Sequence, residues 1–132
     1  MEIAQYPTGD KIKELMKGSA ETPVVMLNLL SFKEAADGEN QGLSGLDAYS
    51  KYARKMTTLV ESKGGRLIWS GRVDSIVVGE SDADFHMVAL MEYPSRAAFL
   101  EITSSVEVQE IAQDRIDGLA GQWLLATTQA GL

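Results

Sequence analysis

The segment Val24 to Phe32, VVMLNLLSF, is apolar at seven of its nine positions and carries Asn28 at its centre. Successive residues of a strand point to opposite faces. Val24, Met26, Asn28 and Leu30 therefore share one side, and Val25, Leu27 and Leu29 the other. Neither side reads as facing water. The pattern recurs in FHMVALMEY, where Phe85, Met87, Ala89 and Met91 alternate with His86, Val88, Leu90 and Glu92. It recurs again in QWLLATT, where Trp123 and Leu125 stand opposite Leu124 and Ala126. A sheet that is apolar on both faces needs two covers, and that requirement limits the folds open to the chain.

The rest of the sequence supplies one of those covers. Pro7 to Lys17 sets Ile12, Leu15 and Met16 on one helical face and ends at Gly18. Ser44, with Asp47 as capping-box partner, opens a helix in which Leu46, Tyr49, Ala53, Met56 and Val60 recur at steps of three and four. Gly64 and Gly65 stop it. RLIWSGRVDSIVVG reads as a long strand or a bent pair, with a bulge at Gly71. The third strand ends at Pro94. Ser95 caps a short helix containing Ala98, Phe99 and Ile102, and Ser104 with Glu107 forms a second capping box before a helix that runs to Gly118. Residues 33–45, KEAADGENQGLSG, are polar and glycine-rich. A loop that long is uncommon in a compact domain, and it is expected to be a flexible flap over a pocket mouth.

After a helical extension over residues 1–20 the order is β-α-β-β-α-β. This predicts a single ferredoxin-like α+β sandwich over 1–132, with one four-stranded antiparallel sheet and helices on one face. The uncovered face would expose on the order of several hundred Å² of apolar surface, more than a soluble monomer usually tolerates. The simplest cover is the same face of a second copy, giving a homodimer.

Charge and composition remove whole classes of partner. Nineteen acidic residues against twelve basic give a formal charge of −7, which repels nucleic acid and anionic lipid. With no cysteine, disulfides, thiolate catalysis and cysteine-bound zinc are excluded. No run approaches the ~18 apolar residues of a membrane span, and the first residues lack the apolar centre of a signal peptide. A cytoplasmic protein away from the membrane is expected.

The stretches MLNLLSFK, GGRLIWSGRV, ALMEYPSRAAFLEI and IAQDRIDGLAGQWLLATT resemble a bacterial family of uncharacterised function in the dimeric α+β barrel superfamily. The resemblance covers about Val24 to Thr128 and implies the same ferredoxin-like dimer. That superfamily holds cofactor-free monooxygenases, haem enzymes, lactone isomerases and plain binding proteins, so the resemblance implies no one reaction. Its members often carry His-Arg where this chain has Asp114-Arg115, a departure that withholds any catalytic role resting on that histidine.

Four residues are candidate ligand contacts. Asn28 is a polar group on an apolar face. If that face meets the partner, its amide lines a cavity between them; the alternative is an amide satisfied by backbone or water. Arg115 falls on the apolar stripe of its helix, either as a clamp for a ligand carboxylate or as half of an ion pair with Glu92 or an aspartate. Trp69 and Ser70 flank the expected bulge, although Trp69 also reads as core and Ser70 lacks a nucleophile elbow. His86, the one histidine, and Asp114 are the weak candidates for a proton carrier. A metal would have to lean on Glu80, Asp82, Asp84 and His86, an acidic tip that solvation explains. One histidine at a sheet edge is a poor haem ligand, so no cofactor or metal is expected. The function these features predict is binding of an unknown small molecule in an internal pocket. The protein is then either a cofactor-independent enzyme of oxygenase or isomerase type, or a non-catalytic ligand-sensing or structural dimeric module.

Overall fold

The computed structural model of the protein describes residues 7–131; positions 1–6 of the expected extension lie outside the described residues. Helix α1 spans Gly9–Met16, strand β1 Val24–Phe32, helix α2 Gly45–Ser62, strand β2 Arg66–Arg72 and strand β3 Met87–Tyr93. Helices α3 (Arg96–Thr103) and α4 (Val106–Gly118) lead into strand β4 (Leu119–Thr127). The four strands form one sheet in the order β2-β3-β1-β4, with every neighbouring pair antiparallel. This is the ferredoxin-like sandwich predicted by the element order.

Register decides which face is which. Val24, Met26, Asn28 and Leu30 stand opposite Tyr93, Met91, Ala89 and Met87 of β3. Val24, Met26, Tyr93, Met56, Val60, Phe99, Ile102 and Val108 pack into one cluster, with Leu30, Tyr49 and Leu119 forming a second. Burying each large aliphatic side chain of these clusters contributes about 1.5–3 kcal/mol. The side of β1 that carries Asn28 therefore faces the protein's own helices, not a partner. The other side presents Val25, Leu27, Leu29, Val88, Leu90, Trp69, Trp123 and Leu125. Trp69, Trp123 and Leu125 are 56%, 53% and 47% exposed there.

Helices α2 and α4 approach closely through glycines. A side chain at Gly118 would press on the backbone of Gly45 and Tyr49, and one at Gly45 on that of Lys33 and Gly118.

Four local expectations are corrected. The ladder slips at Ile68, between Leu67 and Trp69, so the bulge is there and not at Gly71. Gly71 instead leaves room for the Trp69 indole, which a Cβ at that position would strike. The strand stops at Arg72, and the connection to β3 is closed by Val73 N donating to the His86 carbonyl. Helix α4 is capped by Ser105, whose hydroxyl accepts from Val108 N, while Ser104 ends α3.

Residues 33–45 are fastened down. A 3-10 turn, Gly38–Asn40, and a bridge between Ala35 and Ser44 organise them, and the Asn40 side chain is buried. Its amide donates to Asp117 Oδ2 (2.8 Å) and Asp114 Oδ1 (3.0 Å), and its oxygen accepts from Lys51 Nζ (2.7 Å). Composition alone suggested a mobile flap; satisfying a buried amide from two helices makes this segment a strap across α2 and α4.

Candidate functional site

Between the sheet and its helices lies a cleft of about 1110 Å³, slightly larger than the roughly 300–1,000 Å³ usual for small-molecule pockets. Its floor is the inner face of the sheet, including Met26, Asn28, Met87, Ala89, Met91 and Leu124. Tyr49, Tyr52 and Met56 of α2 and Arg115 of α4 form the opposite wall, while Thr8, Lys11 and Leu15 of α1 border it. Four methionines line it, and their flexible, polarisable side chains adapt to irregular apolar shapes.

A relay of amides crosses this floor. Asn28 Nδ2 donates to the carbonyls of Met26 and Ala89, each at 3.3 Å. Its Oδ1 accepts from Gln122 Nε2 at 2.8 Å, and Gln122 Oε1 accepts from Arg115 Nη2 at 2.6 Å. Asn28 is thus a satisfied amide and a cleft wall at once, because the acceptors it needs are the strand carbonyls beside it. Arg115 reaches Gln122 and further neighbours. Glu92, its expected ion-pair partner, lies on the outer face and holds Arg66 at 3.2 Å instead.

Three tyrosines add hydroxyls to the cleft. Burial pushes the phenols of Tyr49 and Tyr52 upward, against the opposing charge of Arg115, and burial followed by the neighbouring Tyr52 raises Tyr93. All three stay protonated at neutral pH. None of these hydroxyls is hydrogen-bonded to another of the described residues, so each is available to a guest.

The remaining candidates separate. Ser70 lies on the inner face opposite Ala89 and joins Asn28 and Arg115 in the cleft lining. Trp69 is one residue away on the outer face, neither core nor cleft. His86 is a structural fastener: its Nδ1 accepts from Phe32 N at 2.9 Å, and its ring stacks on Phe32 at 5.8 Å. Asp114 belongs to the strap, where it meets Lys55 at 3.2 Å and Lys51 at 3.5 Å. Burial raises its carboxyl, but the bonds from Asn40 and Lys55 and the charges of both lysines outweigh that and hold it below the ordinary carboxylate range. Among the described residues no group of three or more histidine, cysteine or acidic side chains is placed to hold a metal, and no helix is long and apolar enough to cross a membrane.

Several polar residues of the cleft lining carry no motif signal in the sequence, among them Gln122, the middle of the relay, and Arg96 at the first position of α3. Arg96 is only 9% exposed, its Nη2 donates to Thr128 Oγ1 at 3.2 Å, and its Nε has no partner. The one signal available in the sequence was electrostatic. A cation in the first turn opposes the helix dipole and needs another reason to be there.

An antiparallel four-stranded sheet with an inner cleft and a bare outer face defines a ferredoxin-like α+β protein. Residues 43–128 match the family model described as a domain of unknown function, DUF1330, and the chain belongs to that family. RPA0582, a protein of unknown function from Rhodopseudomonas palustris, superposes with a TM-score of 0.84 at 26% identity, over 96% of this chain and 97% of that one. Its methylated form gives 0.86 at 26% identity, over 99% and 98%. A dabb family protein with a ferredoxin-like fold from Mesorhizobium loti shares the fold at 12% identity and a TM-score of 0.56, over 83% of this chain and 98% of that one. No curated protein matches the chain.

Proposed function

We propose that the protein binds a small apolar or aromatic molecule in the cleft between sheet and helices, and that it works as a pair of such subunits joined through their outer sheet faces. The observation that carries this reading is the contrast inside the cleft. Its walls are mostly methionine, leucine, alanine and aromatic carbon, yet three tyrosines whose hydroxyls have no partners among the described residues, and the Asn28–Gln122–Arg115 relay, are part of its lining. Apolar walls with a few placed donors are how small-molecule sites obtain affinity and orientation together. The positions of His86 and Asp114 outside the cleft lining favour a binding protein over a proton-shuttling enzyme. A cofactor-independent reaction in this site would have to rely on tyrosine donors instead.

The pairing rests on the outer face and on Ile76, Val77 and Val78 in the β2–β3 connection, the last two 89% and 92% exposed. Covering apolar surface contributes roughly 25 cal/mol per Å², and an isologous contact covers both copies at once.

A thermal-shift screen of aliphatic and aromatic compounds tests the cleft. Ala89, opposite Asn28 on the floor, becomes Ala89→Phe in the control protein to fill the space. Compounds that raise the melting temperature of the wild type and not of Ala89→Phe are the expected result. A screen without wild-type hits, or with hits that shift both proteins equally, refutes the reading.

A further inference from the structure

We propose that Arg96 is an anion-binding subsite, and that the molecule held in the cleft is a carboxylic acid with an elongated apolar body. The proposal rests on the cleft reading above and adds the chemical class of the guest. A guanidinium carries five N–H donors and a charge that is never lost in water. That of Arg96 lies in a residue nine-tenths buried, yet its one hydrogen bond among the described residues goes to a neutral hydroxyl, Thr128 Oγ1, and its Nε donates to nothing. No carboxylate pairs with it among those residues. Buried charges are ordinarily paired.

The surroundings offer it only partial relief. The guanidinium lies against Gly18, where any side chain would collide with it, just beyond the C-terminal turn of α1. The negative end of a helix dipole favours a cation there, but weakly and without filling the vacant Nε donor. At its own end the charge sits in the first turn of α3, where the dipole is unfavourable. Arg96 nevertheless lines the cleft, as do Phe99, one turn along α3, and Tyr93, whose ring meets Phe99 edge-on at 5.0 Å.

Position sets the shape of the guest. Thr128, which holds Arg96, lies six residues beyond Gln122, which holds Arg115. At ~3.4 Å per residue this is about 20 Å of strand. Arg96 and Arg115 thus stand toward opposite ends of the strand floor, with the methionine-lined stretch between them, while Lys11 and Glu14 of α1 and Arg54 of α2 line the helical side. Arg115 is engaged by the relay, whereas Arg96 has no charged partner among the described residues and an unpartnered Nε. One guanidinium and one hydroxyl suit a single negative charge. A phosphate with nearly two charges would call for more donors. A carboxylate on the Arg96 guanidinium with its hydrocarbon laid over Met26, Met56 and Met91 matches both the unpaired charge and the apolar walls.

Isothermal titration of the full chain with octanoate, 1-octanol and octyl phosphate tests this. The wild type should bind octanoate at least about tenfold more tightly than 1-octanol, the worth of one charge-assisted contact. In Arg96→Gln and Arg96→Met that preference should fall to within about twofold with 1-octanol affinity unchanged, while Arg96→Lys, which keeps the charge, should retain most of it. Without ligand, Arg96→Met should melt no lower than wild type, because an unmatched buried charge has been replaced by an apolar chain. A preference that survives both neutral variants overturns the assignment, as does tighter binding of octyl phosphate than of octanoate. A fall in the ligand-free melting temperature would make Arg96 a structural strut and also overturns it. Binding of 1-octanol without any preference for octanoate sinks the Arg96 subsite alone. Failure of both compounds to bind the wild type sinks the cleft reading, and the subsite with it.

Discussion

Gln122 on β4 donates to Asn28 Oδ1 on β1 at 2.8 Å, across neighbouring strands and beneath an arginine from a helix. Each amide is oriented by the next, so turning over would break three bonds at Asn28 and two at Gln122. Asn28→Ala should cost about 1–3 kcal/mol, because Gln122 is left with an unmatched donor beside apolar surface. Gln122→Ala should cost a similar amount. Urea denaturation of both single variants and the double should reveal a coupling of at least about 0.5 kcal/mol. Additive losses would mean that the two amides act separately.

The strap over α2 and α4 should make stability depend on acid. Burial raises the Asp117 carboxyl, but hydrogen bonds from the Asn40 and Gln113 side chains and from the Asn40 and Glu39 amides outweigh it, leaving it below the ordinary value of 3.8. Asp114 is lowered in the same way. A carboxyl with a depressed folded-state pKa binds fewer protons folded than unfolded, so its stabilisation is complete above the unfolded value and is lost as pH falls through the folded one. The wild type should lose stability as pH drops below about 4. Asp117→Asn should be less stable than wild type at neutral pH, and the difference should narrow in that acid range. Denaturant midpoints between about pH 6 and about pH 3 provide the measurement.

The outer sheet face makes a prediction about mass. Leu27 and Leu90 are register partners at its centre. Leu27→Glu or Leu90→Glu would bury a charge in any face-to-face pair, at a cost of several kcal/mol. Light scattering should then give a monomer for the variant where the wild type gives a dimer, with unchanged far-ultraviolet circular dichroism. A wild type that stays monomeric at micromolar concentration refutes the pairing.

Two adjacent serines separate a cap from its neighbour. Ser105→Ala removes the acceptor for Val108 N at 3.3 Å and should cost about 1 kcal/mol. Ser104→Ala removes only hydroxyl bonds to the carbonyls of Leu100 and Glu101 and should cost less, about 0.5 kcal/mol or below. Thermal unfolding of the two variants ranks them.

Close packing of α2 on α4 predicts a larger penalty. Gly118→Ala forces a methyl against the backbone of Gly45 and Tyr49, which has no rotamer through which to yield. Overpacking of that kind costs about 1–3 kcal/mol or more, measurable as a drop in urea midpoint.

These residues also show how far the sequence could be read. The alternation in Val24 to Phe32 made a doubly apolar strand legible, and the element order gave the sandwich. The same alternation could not tell which parity meets the helices, because Met26 and Leu30 are no greasier than Leu27 and Leu29, and a shift of one residue exchanges the faces. The cavity with a partner, which Asn28 would line only if its side were the dimer side, is therefore not where it lies; it belongs to the inner cleft. The helical spacing of Arg115 puts it on the apolar stripe of its helix, and it lines the cleft, as does Ser70, which is a candidate only through its place beside the expected bulge. Trp69 does not, because the bulge falls one residue before it, at Ile68. The spacing of Ser104 to Glu107 matches a capping box, but the helix starts one residue later, at Val106, with Ser105 as its cap. The polar composition of 33–45 concealed the strap, since nothing local announces that Asn40 will meet Asp114 and Asp117 more than seventy residues away.

Strand β1 is flanked by β3 on one side and β4 on the other, and Thr127 Oγ1 bonds the Val25 carbonyl across 102 residues of sequence. A ribosome making this chain releases Val25 of β1 102 residues before Thr127 of its second neighbour. Until then one edge of a very greasy strand lies open to any passing hydrogen-bonding partner. Closure of so long a loop also slows the final step. During synthesis, the hazard for this protein is therefore the wait for β4, and holding β1 out of solution until residue 127 emerges is the help it needs most.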